Sequence, residues 1–255
     1  MAVDKLSTNV ISSGSKPGNC VTYLGGRVMV DCGTTNKKLE GNIDNLEVVI
    51  ITHEHVDHIG KRNKDGIAGS AFRYIIRNKP SVMFVFAPYM EELAKGMGIS
   101  NYTVVEPNTV NLIKDFYVAL LPVSHNVPNV GVFIGSLEKT GMTYEQRLFK
   151  VFHCTDMGSY EGIYAKNFDV YGLEANYDEE QVLELIKEEV AEVGFSHRER
   201  SMVDHISIQE TLRYIEMVTQ GWDKYSFYPL HISGIYHDFV WNKYKKEITY
   251  DFNGS

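Results

Sequence analysis

The sequence predicts an α/β protein in which two mixed β-sheets pack together, with helices on the outside. Strand-like apolar runs come in two batches along the chain, and helical patterns follow each batch. The chain has 255 residues, 44% of them hydrophobic, which is enough apolar surface for a large buried core. The sequence contains no internal repeat, low-complexity tract or long linker. We therefore expect residues 1–255 to form a single domain.

The first half opens with a sheet. Three short β-type runs, at residues 9–12, 20–24 and 27–31, are separated by glycine-rich turns and predict an antiparallel meander. The run at residues 46–52 has four consecutive apolar β-branched residues, which predicts a strand buried on both faces. The same patterns predict helices at 68–78 and 90–97, and strands at 81–86, 116–123, 130–134 and 148–154.

The second half continues with helices and a last strand. Val182, Ile186, Val190 and Val193 are spaced by three and four residues, which predicts a helix that ends at Gly194. The segment from Ser207 to Glu210 is a capping box and predicts the start of another helix. Residues 225–230 form the last predicted strand, which leads into a histidine at position 231.

A cluster of metal-ligand residues follows the buried strand at 46–52. It reads His53-Glu-His55-Val-Asp57-His58. Residues two apart in an extended chain project to the same side, so we expect His53 and His55 to hold one metal. Asp57 and His58, where the chain turns into a helix, then serve a second metal. The alternative, a polar loop, would leave four such groups unpaired near a core at high cost.

Three more candidate ligands lie near the ends of predicted strands, where a rigid scaffold can aim them at one point. We expect His125 to complete the first metal, Asp156 to bridge both metals, and His231 to complete the second. A buried structural role is the alternative for each. Imidazole and carboxylate ligands predict two Zn²⁺ per chain, with Mn²⁺ as the alternative because it accepts the same ligand set.

This pattern resembles the metallo-β-lactamase superfamily, whose His-x-His-x-Asp-His signature is matched at residues 53–58. The resemblance implies the αββα sandwich and a binuclear metal site. Finer motifs are similar to the YycJ/WalJ-type exonucleases over nearly the whole chain. They lie at residues 13–19, 30–33, 174–178, 204–207 and 230–233. Two positions depart from that pattern, because Tyr177 stands where the family usually has His and Asp204 where it has Gly.

The segments around Glu174 and His205 also resemble paired motifs of tRNA-processing ribonuclease Z. This resemblance implies that His205 contacts the phosphate or protonates the leaving oxygen, and that Glu174 orients it. The alternative is that His205 merely lies next to a helix cap and takes no part in the chemistry. With Asp57, these residues form the predicted catalytic set. Lys61, Arg198 and Arg200 are candidates for holding flanking phosphates, and solvated surface charge is the alternative reading.

The predicted function is hydrolysis of phosphodiester bonds in nucleic acid, as in a 5′-to-3′ exonuclease on DNA. The formal net charge of -8 removes the general electrostatic support for gripping a polymer. One alternative is therefore a phosphodiesterase of small cyclic nucleotides, because viral enzymes that evade bacterial cyclic-nucleotide immunity belong to the same superfamily. A second alternative is an ester, thioester or lactam hydrolase. A non-catalytic binding module is the least favoured reading.

Location and partners follow from composition. Three cysteines without a Cys-x-x-Cys pair give no sign of a disulfide framework, which fits a reducing compartment. The N-terminus lacks a leader pattern, and no apolar run approaches the ~20 residues of a membrane span. We expect a cytoplasmic protein, in a bacterium or in the host cell if the source is viral, with no membrane partner. Since dimers are frequent in the resembling nucleases, a homodimer is a further expectation.

Overall fold

The computed structural model describes residues 6–61, 69–139, 146–196 and 198–248. Within them, twelve strands form two six-stranded mixed sheets, accompanied by eight α-helices. The chain divides into two compact units. Unit 1 comprises Met1–Pro122 and Val130–Leu148, and unit 2 comprises Val123–Asn129 and Phe149–Ser255. The single-domain interpretation stays a prediction.

The first sheet lies in unit 1 and has the strand order β1-β2-β3-β4-β5-β6. The first three strands form the predicted antiparallel meander, and β3 to β6 run parallel. Parallel strands place their carboxyl ends at one edge, so the loops that follow β3, β4 and β5 meet there. The strands are β1 (Asn9–Ser12), β2 (Cys20–Tyr23), β3 (Val28–Val30), β4 (Val48–Ile50), β5 (Met83–Phe86) and β6 (Tyr102–Val104).

The second sheet has the strand order β12-β11-β10-β9-β8-β7. Strands β7 and β8 are antiparallel, whereas β10, β11 and β12 are parallel, so their carboxyl ends also share one edge. The strands are β7 (Val110–Ile113), β8 (Phe116–Val123), β9 (Asn129–Lys139), β10 (Gln146–Cys154), β11 (Val170–Glu174) and β12 (Ser226–Leu230).

Helices follow the strands much as predicted. The expected helices at 68–78, 90–97 and 182–193 correspond to α3, α4 and α5, and Ser207 caps α7 by accepting a hydrogen bond from the Glu210 backbone N–H. A 3₁₀ turn at Pro88–Met90 precedes α4. The helices are α1 (Asn36–Leu39), α2 (Val56–Ile59), α3 (Ser70–Asn78), α4 (Glu91–Gly96), α5 (Glu179–Val193), α6 (Arg198–Asp204), α7 (Ile208–Val218) and α8 (His237–Tyr244). None of the described helices has the length and apolar character needed to cross a bilayer.

The core of unit 1 fixes the strand that carries the histidine cluster. All three residues of β4 are buried, as the apolar run predicts. Helix α3 buries Phe72, whose ring stacks on Phe84 of β5 at a centroid distance of 5.6 Å. Because β4 is hydrogen-bonded between β3 and β5, the segment after it starts from a rigid position.

In unit 2, the buried carboxylate of Asp178 ties three helices together. It caps α5 by accepting hydrogen bonds from the backbone N–H groups of Glu180 and Gln181, and it accepts another from Gln209 of α7 at 2.8 Å. From α8 it accepts bonds from the Lys243 ammonium at 3.1 Å and the Tyr244 hydroxyl at 2.7 Å. Burial alone would raise the pKa of Asp178, but these donors outweigh it and the pKa is lowered.

We predict that Asp178→Ala lowers the free energy of unfolding at pH 7 by about 2 kcal/mol, through loss of the cap and of the buried hydrogen bonds. A lowered folded-state pKa stabilises the protein above the unfolded value of about 4, and that stabilisation is lost as pH falls through the folded-state pKa. Urea denaturation from pH 7 to pH 3 should therefore show the difference from wild type shrinking below about pH 4. Glu188→Ala, at an exposed position of α5, is the control. A difference that stays constant over this range would contradict the prediction.

Candidate metal centre

The predicted ligands of unit 1 come together at the carboxyl end of β4. The His53 ring lies 4.7 Å from the His55 ring and 4.0 Å from the His58 ring, measured between centroids. His55 is the residue before α2, and Asp57 and His58 lie on α2, where the sequence predicts the turn into a helix. The Asp57 carboxylate lies 3.6 Å from His58 Nε2. We call these four residues the first ligand cluster.

A buried carboxylate orients this cluster. Asp31, directly after β3, lies 2.6 Å from His58 Nδ1 and accepts hydrogen bonds from the backbone N–H and hydroxyl of Thr52. With its Nδ1 proton directed at Asp31, His58 presents Nε2 as the ligand atom. The Thr52 hydroxyl also contacts His53 Nδ1 at 3.0 Å. Asp31 is not among the residues predicted for the site, although a charged residue at the end of an apolar strand is a usable signal.

Two glycines allow the backbone to pack closely beneath α2. A Cβ at Gly33 would overlap the carbonyl of Asp57, and a Cβ at Gly18 would overlap the carbonyl of Gly33. The space is filled by backbone hydrogen bonds, from Asn19 N–H to the Asp57 carbonyl at 2.6 Å and from Cys32 N–H to the His58 carbonyl at 2.8 Å. The position of the Asp57 and His58 backbone therefore depends on glycine at 33.

We expect Gly33→Ala to displace Asp57 and to lower both the metal content and the thermal stability of the protein. The methyl group meets backbone rather than a flexible side chain, so the cost should reach roughly 3 kcal/mol. Differential scanning calorimetry and metal analysis measure the two effects. Gly96→Ala, at the end of α4, where a Cβ meets nothing within 4 Å, is the control; it should leave the metal content unchanged and should not lower the thermal stability. A Gly33→Ala protein with wild-type metal content would contradict the packing argument.

A second ligand cluster lies entirely in unit 2. Asp156, Glu174, His205 and His231 offer potential ligand atoms within 4.8 Å of one another. Three histidine nitrogens approach Asp156 Oδ1. They are His231 Nε2 at 3.5 Å, His205 Nδ1 at 3.8 Å and His125 Nε2 at 3.9 Å. The structure thus brings all the ligands predicted for residues 123–231 to one carboxylate.

The Glu174 carboxylate contacts two histidines of the second cluster. Its Oε1 lies 2.7 Å from His205 Nδ1 and 3.0 Å from His231 Nδ1, and its Oε2 accepts a hydrogen bond from the Met157 backbone N–H. The side chain is fully buried. Glu174 therefore orients His231 as well as His205, whereas the sequence prediction involved only His205.

Amide side chains hold the backbone of this cluster. Asn129 donates hydrogen bonds to the carbonyls of Thr155 and Asp156, at 2.9 and 2.7 Å. Asn176 donates to the His231 carbonyl at 2.9 Å. Neither asparagine is among the residues predicted for the site, because their partners are distant along the chain. Asn176 lies within the 174–178 motif, and Asn129 follows His125 by four residues.

Three residues at the two clusters adopt left-handed backbone conformations. The φ angle is 59° at Asp31, 57° at Asp156 and 54° at His231. Such angles are uncommon outside glycine, with Asp and His enriched among the exceptions, and they persist where surrounding contacts fix them. In each case the conformation occurs directly after a strand or within two residues of its end.

The electrostatic environment of His205 favours its protonated form. Burial lowers the pKa of His205, but the hydrogen bond and the negative charge of Glu174 outweigh it, and the pKa is raised.

The structure places the two residues that depart from the exonuclease pattern, Tyr177 and Asp204. The buried Tyr177 directs its hydroxyl to the Met202 carbonyl, and burial raises its pKa to about 12. Asp204 ends α6.

The predicted phosphate-binding residues lie in different settings. The Arg198 guanidinium contacts Glu189 at 2.7 Å through both Nε and Nη2, and it reaches the Tyr236 hydroxyl at 3.4 Å. Lys61 is exposed one residue after Gly60, which caps α2. Arg200 belongs to α6, and its side chain lies outside the described part of the structure. Their role toward phosphate stays a prediction.

The donor sets suit divalent metals. Each cluster combines imidazole with carboxylate, the ligands that zinc takes in hydrolytic sites, and both have carboxylate partners that orient a histidine ring. The clusters lie at the carboxyl ends of parallel strands, where the scaffold is rigid. These residues fit metal ions in their chemistry and in their orientation.

A match to a family model shows which superfamily the chain belongs to. The model of the beta-lactamase superfamily domain matches residues 26–232, most of the chain. The chain belongs to the beta-lactamase superfamily. The resemblance to the metallo-β-lactamase superfamily and the predicted fold class, with two mixed sheets and helices, are therefore confirmed. The superfamily binds two metals in one site, and this member has two clusters of candidate His and Asp ligands. It is a metal-dependent hydrolase.

Solved structures of the same fold span most of the chain. The metallo-beta-lactamase fold protein YhfI from Bacillus subtilis has a TM-score of 0.64 at 17% identity, covering 95% of this chain and 92% of its own. The short form of human tRNase Z has a TM-score of 0.57 at 16% identity, covering 90% and 93%. Yeast PDE1 has a TM-score of 0.57 at 9% identity, covering 89% and 88%. No curated protein matches the chain in sequence.

Proposed function

We propose that this superfamily member hydrolyses phosphodiester bonds with two divalent metals, zinc in the first instance. Both clusters contribute ligands, as the sequence predicts. His53, His55 and His125 would hold one metal, Asp57, His58 and His231 would hold the other, and Asp156 would be a ligand of both. When bound, the metals supply Lewis acidity and a water of lowered pKa.

The observation that carries the phosphodiester assignment is the pairing of His205 with Glu174. His205 is not among the predicted metal ligands, yet its ring is fixed by a buried carboxylate and lies 3.8 Å from Asp156. A histidine held in this way is suited to contact a phosphate oxygen or to protonate the leaving oxygen. An alkoxide leaving group needs that proton, since it is a poor leaving group on its own. The shared fold with a tRNase is in keeping with this chemistry.

Nucleic acid is the first substrate class that we propose, and 5′-to-3′ exonuclease cleavage of DNA is the specific activity that we propose within it. A small cyclic nucleotide is the second, and the net charge of -8 favours it, because a small substrate needs no extended basic surface. The described cysteines are all free and buried, which suits the proposed cytoplasmic location. We also propose a homodimer, which light scattering would test.

A substrate panel tests these proposals. Purified metal-loaded protein is compared on single-stranded DNA, RNA, cyclic mononucleotides, bis-p-nitrophenyl phosphate, a carboxylic ester and a lactam. Shortening of DNA or RNA from one end supports the first class. Cleavage of only the cyclic mononucleotides and the artificial diester would shift the assignment to the second. Turnover of the ester or the lactam, with no diester cleaved, would overturn the phosphodiesterase proposal.

A further inference from the structure

We infer that Tyr89 is a stacking platform for the nucleobase of the substrate, next to the metal ligands His53 and His55. The inference rests on the proposed phosphodiesterase function and names a residue that determines which diesters are bound. All of the observations behind it lie within unit 1.

The first observation is the position of Tyr89 at the metal-binding edge of the first sheet. It lies in the 3₁₀ turn that follows β5, and β5 is parallel to β4 and hydrogen-bonded to it. The two strands therefore end at the same edge. The Tyr89 hydroxyl donates a hydrogen bond to the carbonyl of Thr52 at 3.0 Å, and Thr52 immediately precedes His53.

The second observation is that the ring of Tyr89 is both exposed and immobilised. The residue is 43% exposed although its hydroxyl is bound. Thr52 is itself held by the Asp31 carboxylate at 2.9 Å, and Pro88 restricts the backbone on the other side. A ring fixed in this way loses little conformational freedom when a flat ligand stacks on it. Burial of the hydroxyl and the charge of Asp31 raise its pKa, so it stays a donor.

The third observation is a second exposed apolar side chain at the same place. Val56 follows His55 directly and is 53% exposed. Val56 thus follows the ligand pair in the chain, and Tyr89 contacts the residue that precedes it, so exposed apolar groups that match the flat faces of a base lie beside both ends of the pair. Stacking needs no positive charge and tolerates any base. This mode of binding is consistent with a protein of net charge -8, in which general attraction to phosphates is weak.

The test compares two diesters that share a leaving group, thymidine 5′-p-nitrophenyl phosphate and methyl p-nitrophenyl phosphate. We expect Tyr89→Ala and Tyr89→Leu to raise KM for the thymidine diester about tenfold, with kcat nearly unchanged and the methyl diester unaffected. Tyr89→Phe keeps the ring but loses the hydroxyl bond that fixes it, so its KM should lie between those of the wild type and Tyr89→Ala. Tyr164→Ala, which removes a 79% exposed tyrosine of unit 2, is the matched control and should change nothing.

The variants also separate stacking from a structural role. Leucine preserves apolar bulk without a flat ring, so a rise in KM at Tyr89→Leu, with unchanged thermal stability, points to stacking. Equal losses on both diesters, or no change on either, would overturn the inference while leaving the proposed function intact. A wild-type enzyme that cleaves neither diester would instead refute the phosphodiesterase proposal, and this inference with it.

Discussion

Replacement of His55 or Asp57 by Ala is expected to lower turnover of bis-p-nitrophenyl phosphate by at least about 10³-fold. Each change removes a ligand from the first cluster, and loss of the Lewis acid forfeits several kcal/mol of transition-state stabilisation. The metal content of the purified protein should fall from about two ions per chain to one or fewer. Steady-state kinetics and metal analysis on the same preparations measure both quantities.

Glu54→Gln is the matched control, because Glu54 lies between the two histidines and its side chain is exposed. It should retain wild-type turnover and metal content. Treatment with a chelator should abolish activity in the wild-type protein, and added Zn²⁺ or Mn²⁺ should restore it. Substantial activity in both alanine variants, with metal content unchanged, would contradict the assignment of the first cluster.

Replacement of His205 by Ala should have the second largest effect, and that effect should depend on the leaving group. Loss of a positioned general acid costs about 10² to 10⁴-fold for an alkoxide leaving group, as in DNA or a cyclic nucleotide. With p-nitrophenolate, which leaves without protonation, the loss should be about tenfold or less. Metal content should stay at the wild-type level, because His205 is not a predicted ligand.

Glu174→Gln should impair both functions of the second cluster, metal binding and proton transfer. Because Glu174 contacts both His205 and His231, this variant should lose metal as well as turnover. His237→Ala, which removes a unit 2 histidine that accepts a hydrogen bond from Trp241, is the control for a lost imidazole. If His205→Ala slows both classes of leaving group equally, the general-acid role is wrong.

Local patterns in the sequence predict much of this fold. Strand β8 spans Phe116–Val123 as predicted, because this segment is a short continuous run of mostly apolar residues. The first ligand cluster is contained in six consecutive residues after a buried strand, so spacing alone reveals it. Strand β11 was not predicted, because a glycine at position 172 interrupts a short run that has no alternation. It is nevertheless fully buried, between β10 and β12.

Contacts between distant residues are what the sequence does not reveal. Asp31 acts on His58 across 27 positions, and Tyr89 reaches Thr52 across 37. Neither pair has a spacing that any periodicity would mark. The ion pair of Arg198 with Glu189 is similar, because a charged residue on a helix has the same sequence pattern whether it binds phosphate or a neighbouring carboxylate. Only the folded chain distinguishes these cases.

The left-handed backbone at Asp31, Asp156 and His231 limits how each ligand cluster can change during evolution. Gly, Asn, Asp and His tolerate such φ angles, whereas β-branched residues are disfavoured there by sterics. A mutational search for new substrates should therefore find few working replacements at these three positions, even among residues with suitable ligand atoms. Functional variation is more readily accepted at exposed positions such as Val56 and Tyr89, where the side chain can change without forcing the backbone to move.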